Sequence, residues 1–135
     1  MTDYTNMNRI NVSNNVDGRR SLFVDVSFSD GTLKACLVGP RIGEREATVV
    51  ANALNAQIKQ YDNKVTSLVL DFSAVQFISS LGLGMCIDVR NTAEQCNAKT
   101  VIVGLTNHLK ELFEMMRLDR LFKIESVKPN LGTAA

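Results

Sequence analysis

Side chains that carry catalysis or cross-links are scarce in this sequence. The only histidine is His108. A hydrolase triad, a histidine metal cluster or a histidine proton shuttle needs more than one imidazole without a placed partner, so composition argues against each. The three cysteines, Cys36, Cys86 and Cys96, are odd in number and form no CxxC pair. That argues against a disulfide framework or structural zinc and for a reducing, cytoplasmic setting in which they pack as small hydrophobes. Long apolar runs are missing too. Residues 67–70 and 101–103 fall far short of the roughly 20 residues a membrane-spanning helix needs, and the opening MTDYTNMNR lacks the basic-then-apolar layout of a secretory signal. Nor does one sign of charge dominate. Fifteen Lys and Arg against 14 Asp and Glu leave a net charge of +1, which gives no basic excess for nucleic acid or an anionic membrane. No cofactor is implied. What remains is ordinary globular usage: 45% hydrophobic and 21% charged residues in a chain of 135, enough for one compact domain.

Hydrophobic periodicity divides the chain. Residues 1–20, rich in Asn, Thr, Ser and Asp, read as a loosely ordered lead-in with one short strand around Ile10 and Val12. Residues 21–127 read as the domain and 128–135 as a flexible tail. Leu22, Val24, Val26 and Phe28 sit two apart, as in a half-buried strand. Asp30-Gly31 supplies a type I′ turn, and Leu33, Ala35 and Leu37 continue the alternation to Gly39-Pro40, completing a hairpin. The period then changes. Ala47, Val50, Ala51, Leu54, Ile58 and Tyr61 form a stripe on a helix over 44–61. The apolar run 67–70 predicts a strand buried on both faces. Leu83, Cys86, Ile87, Arg90 and Ala93 predict a helix over 81–96, and 100–103 a second buried strand. A third helix over 106–117, capped by Thr106 or Asn107, carries Leu109, Leu112, Phe113 and Met116. Leu121, Phe122 and Ile124 suggest a last short strand. Strands alternating with helices predict one α/β domain, a mixed sheet with an N-terminal hairpin and helices packed against it.

The segment Ser79-Ser80-Leu81-Gly82-Leu83-Gly84 is the most informative. It is a strand-to-helix turn with two hydroxyls at a helix N-terminus, where unpaired N–H groups accept a serine cap and partial positive charge tolerates a phosphate. Serine as a plain N-cap, with glycines relieving crowding, is the simpler reading. Position 87 is Ile87 and no GK[ST] follows, so neither a dinucleotide fingerprint nor a P-loop is present. GxSxG is absent as well. Asp71 closes a buried strand, where α/β folds often place active sites. With no second acid or base nearby in sequence it reads as a loop cap. The cluster of Leu112, Phe113, Met115 and Met116 reads as core, with exposed Met also suited to partner binding.

Taken together, Leu68-Val69-Leu70-Asp71-Phe72-Ser73-Ala74-Val75 and Phe77-Ile78-Ser79-Ser80-Leu81-Gly82-Leu83-Gly84 resemble the STAS domain of bacterial anti-sigma factor antagonists. Lys99-Thr100-Val101-Ile102-Val103-Gly104, Leu118-Asp119-Arg120-Leu121-Phe122-Lys123-Ile124 and Gly39-Pro40-Arg41-Ile42 match further stretches of that family. Ser79 and Gly43 stand where the family usually has acids, and Leu81 where it has Ser or Thr. The resemblance implies a binding module and not an enzyme. Its unphosphorylated form would bind an anti-sigma factor that is also a serine kinase of the histidine-kinase ATPase fold, and so regulate transcription. The kinase would phosphorylate Ser80, with Ser79 as the rival acceptor, and a PP2C-type phosphatase would reverse the step. The expected partner surface comprises Pro40, Arg41 and Gly43, then Ser79, Ser80, Leu81, Gly82, Leu83 and Gly84, with Arg90 as an exposed neighbour. Gly82 and Gly84 would let a partner backbone approach. The alternative is a STAS subunit of a lipid-transport or stressosome-like complex without a phospho-switch. A small enzyme using Asp71 and Ser80 is a further reading, which lacks a placed base for the serine.

Overall fold

Asp30 and Gly31 both take positive φ, 50° and 82°, the backbone a two-residue type I′ turn requires. They join β2 (Val24–Ser29) to β3 (Thr32–Leu37) as an antiparallel pair in which Val24 faces Leu37 and Phe28 faces Leu33. The hairpin expected from alternation is therefore present. The computed structural model describes residues 23–126, together with a two-residue strand β1 (Ile10–Asn11) that pairs antiparallel with β2. Val12 and the remaining lead-in and tail positions lie outside the described residues.

Beyond the hairpin come β4 (Arg41–Ile42), α1 (Glu44–Tyr61), β5 (Ser67–Asp71), β6 (Phe77–Ile78), α2 (Ser80–Gln95), β7 (Lys99–Val103), α3 (Asn107–Met115) and β8 (Lys123–Glu125). The main sheet runs β1-β2-β3-β5-β7-β8, with β3, β5, β7 and β8 parallel to one another and β1 and β2 joined to them by antiparallel pairing. The mixed α/β architecture and the three predicted helices are all found among the described residues. The last strand starts later than expected. Leu118–Arg120 form a one-turn 3₁₀ helix, and Phe122 then turns inward, edge-on to Phe113 with centroids 6.2 Å apart.

Burial departs from expectation in one respect. In β5 Leu68 and Leu70 are buried while Val69 is half-buried. In β7 Thr100 and Ile102 are buried while Val101 and Val103 are not fully so. The apolar runs predicted strands covered on both faces. Instead Val26, Ala35, Leu70 and Ile102, which lie side by side across the sheet, all point to one helix-covered face. The valines on the other face fit the β-branched preference of strands, which does not require full burial. Against the covered face α1 presents Ala47, Val50, Leu54 and Ile58, and α2 presents Leu83, Cys86, Val89 and Ala93. Each large aliphatic side chain buried here contributes about 1.5–3 kcal/mol. Removing water from that face is what holds the helices on the sheet.

Candidate functional site

Two strands of two residues each assemble the site. Neither is long enough to show a period, so sequence reading took them as turn and connector. β4 pairs parallel with β6, Arg41 opposite Phe77 and Ile42 opposite Ile78. The Pro40 carbonyl accepts from the Gln76 and Phe77 amides at 2.8 and 2.9 Å, and the Ile42 carbonyl accepts from the Ser79 amide at 2.9 Å. This ladder sets the turn after β3 beside the start of α2. The two stretches singled out from sequence become one surface. The Arg41 guanidinium lies 4.4 Å from the centroid of the Phe77 ring, a cation–π contact across the ladder. Phe77, 42% exposed, is a surface residue that the sequence reading did not include. Its place two residues before the serine pair was the available signal.

The two serines divide their roles. Ser79 is the N-cap of α2, with extended backbone (φ −82°, ψ 170°), and its Oγ accepts from the Gly82 amide at 3.0 Å. Ser80 is the first helical residue. It is exposed, and its hydroxyl has no hydrogen-bond partner among the described residues. Capping thus occupies Ser79 and leaves Ser80 free at the positive end of the helix.

Of the other expected contact residues, Pro40, Arg41, Leu81 and Gly84 are exposed and Gly43 is half-buried. The Gly43 amide donates to Glu46 Oε1 at 3.0 Å, part of the N-terminal cap of α1. Gly82 and Leu83 are a correction. Both are buried, because α2 seats directly on the small sheet. A Cβ on Gly82 would stand 2.5 Å from Ile78 Cγ1 and 3.2 Å from the Ile42 carbonyl oxygen. The close approach that Gly82 permits is internal, whereas Gly84 faces open space. Leu81, 49% exposed, lines a groove of about 330 Å³ between α1 and α2, together with Ala47, Ala51, Gly84 and Met85. Small residues on both helices leave that space. Farther along, Asn55 Nδ2 donates to Asp88 Oδ2 at 2.9 Å and ties the helices together.

Arg90 is a second correction, for it is not an exposed neighbour. Its Nε donates to the Leu121 carbonyl at 3.1 Å, and its side chain pairs with Glu94 at 3.3 Å. Asp71 behaves as the loop cap expected. Its Oδ1 accepts from the Ser73 amide at 2.9 Å and the Ser73 hydroxyl at 2.6 Å. Its Oδ2 lies 3.9 Å from Lys34 Nζ and 3.8 Å from Cys36 Sγ. Burial and then the Asp71 charge raise the Cys36 thiol pKa, while full burial pushes Cys86 up to about 12. Neither thiol is poised as a nucleophile.

This geometry is met by a family match. The sequence pattern of the STAS domain covers residues 25–134. The chain belongs to the STAS domain family. BtrV of Bordetella bronchiseptica, a protein named as an anti-sigma factor antagonist, is 30% identical over 105 residues, spanning 78% of this chain and 87% of BtrV. The fold recurs in an anti-sigma factor antagonist from Mycobacterium paratuberculosis, with TM-score 0.65 and 22% identity over 82% of this chain and 88% of that one. It recurs also in the phosphorylated form of the Bacillus cell fate determinant SpoIIAA, with TM-score 0.62 and 13% identity over 78% and 92%. Like those two, this STAS domain sets helices against a mixed sheet. Among the described residues no cluster of three or more His, Cys, Asp or Glu could hold a metal ion, and no helix is long and apolar enough to cross a membrane.

Proposed function

We propose that this STAS domain is an anti-sigma factor antagonist, a protein-binding switch. Its unphosphorylated form binds a serine kinase of the histidine-kinase ATPase fold that is also an anti-sigma factor, and so frees a sigma factor for transcription. Phosphorylation of Ser80 releases the kinase, and a PP2C-type phosphatase restores binding. The observation that carries this reading is the free, exposed Ser80 hydroxyl, set at the head of α2 beside exposed Leu81 and Phe77. A phosphate there adds about −1.5 to −2 charges where the helix end tolerates them. It also makes a partly apolar contact surface too costly to desolvate. The name of BtrV supports the partner class, and the serine pair supports the switch.

The test is capture from native cytoplasm. Wild type and Ser80→Ala should retain an ATP-binding kinase of that fold, and Ser80→Asp should not. Incubation of wild type with the captured kinase and ATP should place phosphate on Ser80, read by peptide mass spectrometry. Phosphate on Ser79 would overturn the assignment of the acceptor. Capture of transporter subunits, indifferent to position 80, would favour a lipid-transport assembly.

A further inference from the structure

At the end of α2 remote from Ser80, the sheet has a gap. β8 begins at Lys123, which pairs with Val101. The first two residues of β7, Lys99 and Thr100, therefore have no β8 residue beside them. The gap opens into a cleft of about 320 Å³, bounded by the C-terminal half of α2 and the turn Leu118–Arg120. Arg90, Lys99, Arg120 and Lys123 line it, against a single lining carboxylate, Glu94. In a chain of net charge +1 this is a marked local excess, and a cleft concentrates such a field. It outweighs the partial negative charge of about half a unit at the helix end.

The cations are differently committed. Arg90 is held in place by the Leu121 carbonyl and by Glu94, and Lys123 pairs with Glu125 at 3.3 Å. Lys99 and Arg120 have no ion-pair partner among the described residues. Thr100, another wall residue, is 6% exposed, and its buried Oγ1 has no hydrogen-bond partner. Buried hydroxyls are rarely left orphaned, and an orphan beside a cationic cleft points to an absent acceptor. A phosphate group meets both needs. Its oxygens accept from the hydroxyl and from guanidinium and ammonium donors, and its charge balances the free cations.

We infer that this cleft binds phosphate, either as the free ion or as the phosphate group of a small ester, at a site separate from the Ser80 surface. The full chain, labelled with ¹⁵N, is titrated with inorganic phosphate at constant ionic strength, and in parallel with glycerol 3-phosphate. Saturable amide shifts are expected within 99–101 and 118–123. Tighter binding of the ester assigns the ligand class to esters, and equal binding assigns it to the ion. Lys99→Gln combined with Arg120→Gln, both at exposed positions, should weaken affinity at least tenfold. Thr100→Val keeps the shape of the side chain and removes the orphan hydroxyl. It should leave the melting temperature equal or higher while weakening phosphate severalfold, an effect a purely structural threonine would not produce. Absence of saturable shifts in these segments, or equal affinity in wild type and all variants, would overturn the inference.

Discussion

Arg41 and Phe77, far apart in the chain, face each other across a ladder of two-residue strands with the guanidinium 4.4 Å from the ring centroid. The contact fastens the turn before α1 to the approach to α2. Its worth in isolation is small, about 0.5–1 kcal/mol at an exposed site. A double-mutant cycle of Arg41→Ala and Phe77→Ala, followed by urea unfolding, should return a coupling energy in that range. Both single variants should weaken capture of the kinase. Unchanged capture by both would place the partner surface elsewhere.

The serine pair should separate in stability as it does in geometry. Ser79→Ala removes the cap on the Gly82 amide and should cost about 1 kcal/mol, while phosphate still arrives at Ser80. Ser80→Ala removes a hydroxyl with no partner among the described residues and should change stability by less than about 0.5 kcal/mol. Thermal or urea denaturation distinguishes the two, and a larger loss at Ser80 than at Ser79 would contradict the cap assignment.

Two glycines in the same helix should respond with opposite sign. Gly82→Ala drives a methyl into Ile78 and the Ile42 carbonyl, and overpacking of this kind costs about 1–3 kcal/mol. Gly84→Ala meets open space and should stabilise by about 0.5–1 kcal/mol, because alanine loses less backbone entropy within a helix. Equilibrium unfolding of the two variants side by side is the check.

Alkaline pH should expose the burial of Cys86. Its folded pKa of about 12 lies above the ordinary 9.0. Between those values the unfolded chain has lost the thiol proton and the folded chain still holds it, so rising pH favours unfolding. The contribution is a loss of about 1.4 kcal/mol per pH unit, beginning near pH 9 and ending near 12. Cys86→Ala has a pH-independent cavity cost and should show a shallower decline. Parallel slopes for wild type and variant would mean that the thiol reaches solvent.

Local pattern determines much of this protein's fold. The Asp30-Gly31 turn, the stripe of Ala47, Val50, Leu54 and Ile58 and the hydroxyl pair at the head of α2 are readable because periods of 2 and 3.6 and turn chemistry are properties of neighbouring residues. Only the tertiary structure decided that, among the described residues, the helices pack on one face of the sheet and leave Val69 and Val101 half-buried, since those valines look the same in sequence whether a second helix layer exists or not. It alone paired Arg41 with Phe77, because a strand of two residues has no period to detect. It also turned Gly82 inward and Arg90 toward the Leu121 carbonyl. Exposure is set by whatever distant segment packs against a side chain, and that information is not local to the residue.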